Sequence, residues 1–297
     1  MANANGWGDG ASNNNIGWGK GADNAIGWGS VYSVSEAGAT DIVGTPAVDS
    51  DAQAFITAAA ITDNTQKNAI NTLVLALKGY SIWTKFKAIY PIVGGTASQH
   101  KFNLKDPRDL DVAYRLTFGT GWTHTANGMQ SLATFANTFL NMSTEISSVN
   151  SWAVGFYSNV WVAGGVDLGA DTGINNFYLT TKSPLFGATT GRFQTSTSLA
   201  YSDLTGTGFF LGSRNSNINT KVYKNGVEVA NSVTVNGGTF ANLNVYLGAL
   251  NRSGVRSFST NVRYAFCFIA NANFNATEAA NFYTAVQAFQ TSLSRNV

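Results

Sequence analysis

Acidic side chains are the first candidates for chemistry in this chain, because paired carboxyl groups can hydrolyse glycosidic bonds. A retaining glycosidase needs two carboxyl groups about 5 Å apart, one as the nucleophile and one as the acid. None of the glutamates has a second acid two or four residues away, and there are four of them: Glu36, Glu145, Glu228 and Glu278. The sequence therefore predicts that the protein is not an enzyme.

Two groups of aspartates could provide oxygen ligands for calcium. The run from Asp106 to Asp111 holds three carboxylates, the ligand type that Ca²⁺ prefers. Arg108 interrupts the run and no glycine allows a sharp turn, so we favour a solvated turn with a local salt bridge. Asp167 and Asp171, in a glycine-rich segment, form a weaker pair. We expect no cofactor, and calcium remains the alternative.

Histidine and the common catalytic motifs provide no further site. His100 and His124 are the only histidines, and their spacing is not that of a zinc site. The sequence contains no Gly-x-Ser-x-Gly nucleophile motif, no Walker loop and no dinucleotide-binding fingerprint. The functional residues must therefore be sought among groups that bind ligands without transforming them.

Tryptophan offers a possible binding platform for sugars, whose rings stack on indole or phenol rings beside Asn, Asp and backbone groups. Trp122 lies in the turn-rich segment Gly119–His124 and is the best candidate for a glycan-binding residue. The alternative is packing, which is the usual role of an aromatic residue in a β-rich protein. Trp161, in Asn159–Val162, has the pattern of a residue in a strand core.

Composition and charge exclude several classes of protein. Charged residues are 11% of the chain and the net charge is +2, without the basic face that a nucleic-acid-binding protein requires. No stretch approaches the roughly 18 apolar residues of a membrane span. The start of the chain has no secretory signal pattern, and the single cysteine, Cys267, lies in an apolar run. We expect synthesis in a cytoplasm, a buried thiol and no intrachain disulfide.

The N-terminal 35 residues contain a short repeat, Gly-Trp-Gly, which occurs three times at spacings of eleven and ten residues. Flanking glycines disfavour helix and strand, so this arm cannot build a core. From Asn3 to Gly29 the sizeable apolar side chains are three indoles and two isoleucines: Trp7, Trp18, Trp28, Ile16 and Ile26. Exposed aromatic anchors carry much of the binding energy of an interface. We expect an arm that docks on another protein, and a low-complexity tail or a self-packing cap is the alternative.

Three regions follow from the patterns along the chain. Residues 1–35 form the arm, residues 36–79 a connector with helices, and residues 80–297 a β-rich domain. Apolar residues at helical spacing predict helices from Asp51 to Ala60 and from Thr62 to Leu77. Short strand-like runs separated by turn residues then predict a two-sheet sandwich: Ser81–Tyr90, Ala113–Phe118, Ser151–Tyr157, Phe177–Thr181, Leu199–Tyr201, Gly208–Leu211, Asn244–Gly248 and Asn261–Ile269.

Two local signals near the C-terminus are stronger. Asn225-Gly226 lies between strand-like flanks and suits a type I′ hairpin turn, because both residues accept positive φ. Asn275 and Glu278 have the spacing of a capping box at the start of a helix. The apolar stripe of that helix should pack on the sandwich: Phe282, Val286, Phe289 and Leu293.

These C-terminal motifs carry a family resemblance. The hairpin at Asn225-Gly226, the strand ending in Leu247-Gly248 and the strand before the capped helix resemble a laminin-G-like, concanavalin-type jelly roll. The resemblance covers roughly residues 80–297, with its specific motifs after residue 220. It implies a mainly β fold, a concanavalin-like (laminin-G-like) β-sandwich jelly roll. The N-terminal extended arm, the short helical segment and the C-terminal helix complete the expected architecture.

The whole chain also resembles phage structural proteins, in particular fibre or spike proteins of phages that infect Bacteroidetes. The features that carry this resemblance are the Gly-Trp-Gly arm, Ala54-Phe55-Ile56 and the run from His100 to Leu104. It implies a virion protein, made in the host cytoplasm, that the arm anchors to capsid, collar or tail proteins and that is commonly a homotrimer. A glycan-binding module for host attachment is the alternative, and a polysaccharide-degrading enzyme is the less favoured one. We expect no nucleic-acid or membrane partner.

Overall fold

The computed structural model describes residues 47–182, 189–195, 197–235 and 238–297. The chain divides into two units, residues 1–47 and residues 48–297, and only Ala47 of the first unit lies among the described residues. The second unit contains the helices and both sheets. The helices of the 36–79 connector therefore belong to the same compact unit as the β-rich domain.

Three longer helices lie near the two ends of this unit in sequence, and two helices of four residues each lie between strands. Single 3₁₀ turns lie at Trp83–Lys85 and Asp111–Ala113. The α-helices of the described residues are α1 Ser50–Ala58, α2 Asn64–Gly79, α3 Ala97–His100, α4 Met142–Glu145 and α5 Ala276–Ser292. None of the helices in these residues is long and apolar enough to cross a membrane.

The first two helices form where the sequence predicts them. Asp49 and Asp63 precede α1 and α2, and each side chain accepts a hydrogen bond from a first-turn backbone N–H. Such caps satisfy donors that have no partner within the helix. The predicted apolar stripe of α2 is buried throughout: Ala69, Ile70, Leu73, Val74 and Leu77.

Strands make up most of the remaining structure, and their bounds are as follows: β1 Phe86–Tyr90, β2 Thr117–Phe118, β3 Trp122–Thr125, β4 Gly128–Ser131, β5 Ala136–Asn141, β6 Trp152–Ala163, β7 Leu168–Asp171, β8 Asn176–Thr180, β9 Thr190–Thr195, β10 Thr197–Ser202, β11 Gly208–Ser216, β12 Asn219–Lys224, β13 Val227–Ser232, β14 Asn244–Leu247, β15 Leu250–Arg252, β16 Val255–Ser257 and β17 Asn261–Ala270.

Within the described residues these strands form two sheets. Eight strands form a sheet in the order β13-β12-β11-β6-β17-β4-β3, with β1 also paired to β17. Nine strands form the other, in the order β10-β9-β8-β7-β14-β5-β2, with the β15–β16 hairpin joined to β7. We call the first the helix-side sheet and the second the distal sheet. This mainly β sandwich with a C-terminal helix confirms the predicted fold class.

Two apolar layers hold the unit together. One layer lies between the sheets and includes Trp152, Phe156 and Phe193. The other lies between the helix-side sheet and helices α1, α2 and α5. In that layer the ring of Phe282 on α5 packs 4.9 Å from Phe86 and 4.8 Å from Phe268, centroid to centroid. The long helices therefore cover one face of the helix-side sheet, and the second sheet is the distal layer.

Both strong C-terminal predictions are confirmed. Asn225 and Gly226 have φ of 50° and 76°, and they connect β12 to β13. The Asn275 side chain accepts from the backbone N–H of Glu278, while the Glu278 carboxylate accepts from the N–H of Asn275. This reciprocal pair is the capping box that begins α5. Cys267 is a free buried thiol in β17, as expected.

Two predicted strands are wrong in part. Ser81–Lys85 does not form strand, because Ser81 has a φ of 59° and a 3₁₀ turn follows. In the segment from Ala113 to Phe118, only Thr117–Phe118 is strand, and Tyr114 has a φ of 61°. Both segments are rich in aromatic and β-branched residues, a composition that favours strand. Left-handed residues reverse the chain there, and packing outweighs that preference.

Candidate functional site

The candidate calcium site between Asp106 and Asp111 is a loop whose carboxylates already have cationic partners. Arg108 binds the Asp106 carboxylate, and Arg115 binds both Asp109 and Asp111, each at 2.8 Å. The hydrogen bond from Arg108 lowers the pKa of Asp106. The segment is therefore the salt-bridged turn that the sequence analysis favours. Among the described residues no three His, Cys, Asp or Glu side chains are grouped to hold a metal ion.

The second aspartate pair has two unrelated roles. Asp167 is buried between the sheets, where its carboxylate accepts hydrogen bonds of 2.7 Å from the Thr181 N–H and from the Tyr264 hydroxyl. Burial raises the pKa of Asp167 to about 6. Asp171 instead accepts a bond of 2.5 Å from the N–H of Gly173 in the β7–β8 turn. Each carboxylate therefore stabilises its own part of the fold.

The two histidines, far from a zinc spacing in sequence, meet in space. Their Nδ1 atoms lie 2.9 Å apart, with His100 buried on α3 and His124 half-buried on β3. Burial first, then His124 and Arg295, lower the pKa of His100 to about 3. A neutral hydrogen-bonded pair follows, and the nearby guanidinium disfavours a metal cation at this position.

The described glutamates also have structural partners. Glu145 accepts from the Tyr114 hydroxyl, Glu228 binds Lys221 at 2.6 Å, and Glu278 caps α5. Glu36 lies outside the described residues. Each of the described glutamates also has a lysine nearby: Lys87 lies 3.6 Å from Glu145 and Lys85 lies 2.6 Å from Glu278.

Trp122, the predicted glycan platform, is half-buried at the edge of the helix-side sheet. Its indole N–H donates to the carbonyl of Phe135 at 2.9 Å, and its ring lies 5.7 Å from Phe118 and 6.3 Å from Tyr264. The indole N–H is therefore occupied within the chain. Trp122 holds Phe135, whose ring lies on the distal sheet.

Trp161 lies on β6 and is half-buried rather than in a strand core. Lys182 places its ammonium 4.1 Å from the ring centroid, and a Cβ at Gly206 would lie 2.4 Å from the indole Cγ. Both contacts cover the ring within the chain. The residues proposed for docking lie outside the described residues: Trp7, Trp18, Trp28, Ile16 and Ile26.

The outer face of the distal sheet brings together polar and aromatic side chains that the sequence analysis did not select. Each strand of this sheet contributes one residue that lies directly opposite a residue of the next strand, so these residues form a line across the sheet. We call this line the distal row, and from β2 to β10 it runs as Thr117, Asn137, Tyr246, Gly169, Tyr178, Gln194 and Ser198. The strand residues beside the row point inward to the core, because side chains alternate between the two faces of a strand.

A glycine separates the two tyrosines of the distal row. Gly169 lies directly between Tyr246 and Tyr178, and a Cβ at Gly169 would lie 2.5 Å from the Cβ of Tyr178. Two strand spacings, about 9.6 Å, separate the two tyrosine positions. Gly169 therefore places no side chain between the two tyrosine positions, and the close approach of Tyr178 leaves no room for one.

The ring of Tyr246 is held in place by a neighbour. Phe135 stacks on it with 4.2 Å between ring centroids and an interplanar angle of 21°. Burial raises the pKa of Tyr246, so its phenol remains a hydrogen-bond donor at neutral pH. The Tyr246 hydroxyl makes no hydrogen bond to any of the described residues, so it is available to a ligand.

Amide side chains flank the two rings. Asn137 uses its Oδ1 to accept from the Phe139 N–H at 2.9 Å, which leaves its amino group directed away from that bond. The side chains of Asn244 and Gln194 make no hydrogen bond within the described part of the chain. Amides both donate and accept, so this face combines aromatic surface with unused polar groups.

Two strands, β8 and β14, share a sequence pattern that indicates this face. β8 begins Asn-Phe-Tyr-Leu and β14 reads Asn-Val-Tyr-Leu, and in both strands the apolar residues are buried while Asn and Tyr are half-buried. The same four-residue pattern thus places Asn and Tyr on one face of two strands. Only the pairing of both strands with β7 shows that the two tyrosines lie in one row.

Comparison with known proteins adds the following. No protein-family model and no curated protein matches the chain. Domain 4 of the extracellular arabinanase AbnA from Geobacillus stearothermophilus is 15% identical over 67% of this chain and 98% of that one, with a TM-score of 0.41. The NanB sialidase of Streptococcus pneumoniae is 15% identical over 48% of this chain, with a TM-score of 0.36, and this chain spans 25% of its length. The binding domain of botulinum neurotoxin serotype C1 is 11% identical over 59% and 48% of the two chains, with a TM-score of 0.39. These similarities concern the fold.

Proposed function

We propose that this protein is a non-catalytic carbohydrate-binding module and that its glycan lies on the distal row. The observation that supports the proposal is the alignment of Tyr246, Gly169 and Tyr178 on one sheet face with amides at both ends. A ligand that matches this face needs apolar patches that pack on the tyrosine rings and hydroxyl groups that form hydrogen bonds with the amide side chains. Carbohydrates combine these two properties.

The physical chemistry of the row explains how such a ligand would bind. The C–H face of a sugar ring packs on a phenol ring, which buries apolar area at little cost in side-chain entropy. Sugar hydroxyls both donate and accept, and Asn137, Gln194 and the Tyr246 hydroxyl can do the same. Binding pockets typically combine an apolar surface with a few polar groups that set orientation.

The described carboxylates support a binding role rather than hydrolysis. The distal row contains no acidic residue, and a glycosidase requires two. The described glutamates are engaged by Lys221, by the Tyr114 hydroxyl or by the backbone of Asn275. The row can therefore hold a glycan without the groups that would cleave it.

Replacing Tyr246 with alanine is expected to weaken glycan binding about tenfold, which corresponds to about 1.4 kcal/mol. The substitution removes both the stacking surface and a hydroxyl donor, whereas Tyr246→Phe removes only the hydroxyl and should have a smaller effect. Isothermal titration with glycans selected on an array measures both. Tyr80→Ala is the matched control, because Tyr80 is an exposed tyrosine at the end of α2, in the helix layer.

Two results would count against this proposal. One is the absence of binding to any glycan on the array, with or without calcium. The other is equal affinity in the Tyr246→Ala, Tyr80→Ala and unmodified proteins. The melting temperature of each variant shows that the sandwich remains folded.

The three Gly-Trp-Gly repeats favour a second, compatible role. We infer that the arm, residues 1–35, docks the protein on a phage particle as part of a head or tail fibre or spike. In this role the protein is made in the host cytoplasm and carried in the virion, where capsid, collar or tail proteins receive the arm. Three tryptophans at regular spacing provide repeated apolar anchors for such a surface. A homotrimer is the assembly that the phage resemblance implies.

Deleting residues 1–35 is expected to abolish incorporation into particles while glycan binding and the melting temperature stay unchanged. The reason is that residues 48–297 form their own compact unit with both apolar layers. Quantitative blotting of purified particles measures incorporation, and a full-length variant with alanine at Trp7, Trp18 and Trp28 serves as a second test. Normal incorporation of both variants would show that docking does not depend on the arm.

A further inference from the structure

We infer that the ligand of the distal row is an internal stretch of an uncharged, linear polysaccharide that runs across the strands. This inference rests on the proposed function and names its substrate class. It follows from three properties of the row, which are its charge, its length and its open ends.

The row itself is uncharged at all seven positions. Charged groups of the distal sheet lie beside the row and have partners. Asp171 binds the Gly173 N–H and lies 3.7 Å from Arg252, and Arg192 donates to the Ser198 hydroxyl at 2.8 Å. A ligand along the row from Asn137 to Gln194 therefore meets phenols and amides, which suit a neutral sugar chain, and at the β10 end it meets one guanidinium that is already bonded to Ser198.

The length of the row requires a ligand with several sugars. The positions of Tyr246 and Tyr178 are about 9.6 Å apart, because two strand spacings separate them. A single sugar ring cannot stack on both. The full row crosses seven strands, or about 29 Å at the same spacing, so each added sugar reaches a further side chain.

The ends of the row favour an internal stretch over a chain end. Thr117 at one end and Ser198 at the other are both exposed. A polysaccharide that enters at Asn137 can therefore continue past Gln194 without meeting a bulky side chain of the row. Chain-end recognition would require a large side chain that closes one of the two ends, and the Arg192 guanidinium at the Ser198 end is already bonded to that hydroxyl.

Titration of the full-length protein with oligosaccharides of increasing length tests this inference. The probes are one to six units of β-1,4-linked glucose, β-1,4-linked xylose and α-1,5-linked arabinose, with oligogalacturonate and sialyllactose as acidic probes. Affinity for one neutral series is expected to rise at least about tenfold from one to four sugars. It should change less than about twofold between about 0.05 M and 0.5 M NaCl, because screening acts on charged partners.

A variant at the far end of the row sharpens the test. Gln194→Ala should weaken binding of the hexasaccharide and leave binding of the monosaccharide unchanged, whereas Tyr80→Ala should change neither. Equal affinity for one and six sugars, or preference for acidic probes with a steep loss in salt, would overturn the inference. If either result is accompanied by a loss of binding in Tyr246→Ala, only the inference about the ligand is wrong and the proposed function is retained. If the protein binds no glycan at all, the proposed function is wrong as well.

Discussion

Replacing Arg295 with alanine is expected to lower the free energy of unfolding by about 3 kcal/mol. Arg295 follows α5, and its side chain is buried. Burial lowers its pKa to about 9, so it remains charged at neutral pH. Within the described part of the chain no carboxylate pairs with it, and its hydrogen bonds go instead to acceptors from four parts of the fold: Pro91 O, Ile92 O, Ala126 O, Ala265 O and Gln290 Oε1.

Replacing the Arg295 side chain with a methyl group would remove a donor from each of these buried oxygens, of which Ala265 O keeps the Gln290 Nε2 donor. It would also open a cavity beside Phe289, whose ring lies 5.4 Å from the guanidinium carbon. Each unsatisfied buried acceptor costs about 1–3 kcal/mol, partly offset because the charge no longer has to be desolvated. Arg295→Lys should also destabilise the fold, because one ammonium cannot reach all these acceptors. Urea unfolding measures both variants, with the exposed Arg108→Ala as control. An Arg295→Ala protein with an unchanged midpoint would show that α5 is held without this guanidinium.

Replacing Asp167 with asparagine is expected to stabilise the protein at pH 7 and above, and to have little effect near pH 4. Asparagine can keep the network, because its oxygen accepts from the Thr181 N–H and its amino group donates to the Tyr264 hydroxyl. That hydroxyl lies 2.9 Å from the Thr260 Oγ1, to which it can then donate. The substitution therefore removes the titration and retains the hydrogen bonds.

The direction of the effect follows from where the proton is held. The pKa of Asp167 is about 6 in the folded protein, against an ordinary value of 3.8 for aspartate in an unfolded chain. Between these two pH values the unfolded chain loses the proton while the folded protein keeps it, so the stability of the unmodified protein falls as pH rises. The fall amounts to about 3 kcal/mol, at about 1.4 kcal/mol for each unit. Above pH 6 the loss is complete.

Urea unfolding of both proteins at intervals from pH 4 to pH 8 measures this difference. The carboxylates held by basic partners titrate in both proteins, so subtracting one curve from the other isolates Asp167. The variant should gain stability relative to the unmodified protein across that range. A constant difference between the two curves would mean that Asp167 is ionised at all these pH values.

Local chemistry allowed much of the fold to be predicted. The stripe from Ala69 to Leu77, the turn at Asn225-Gly226 and the capping box at Asn275 each depend on residues within eight positions of one another. The wrong strand at Ser81–Lys85 has the same composition as a true strand. The conformation of this segment depends on the left-handed backbone at Ser81 and on packing with distant segments, and short-range sequence patterns carry no information about either.

The candidate site was less accessible to sequence reasoning. The turn-rich neighbours of Trp122 predict a ligand platform, whereas its N–H partner, Phe135, becomes visible only in the folded chain. Tyr178 and Tyr246 are 68 residues apart in the sequence, and β7 brings them into one row. Likewise the Nδ1 atoms of His100 and His124 meet through the packing of α3 on β3. Such proximity depends on strand register, which a single sequence specifies only weakly.

The helix layer limits how firmly one copy could hold a target surface through the proposed glycan site. Because α1, α2 and α5 cover the outer face of the helix-side sheet, a single copy has one sheet face, the distal one, for the proposed glycan site, which would have a valency of one. Firm attachment then depends on many copies arrayed together, since linked sites exceed the individual affinity by about 10²–10⁴ when they engage simultaneously. A weak individual contact would in that setting be an advantage, because separate copies could release and rebind while the array stays attached.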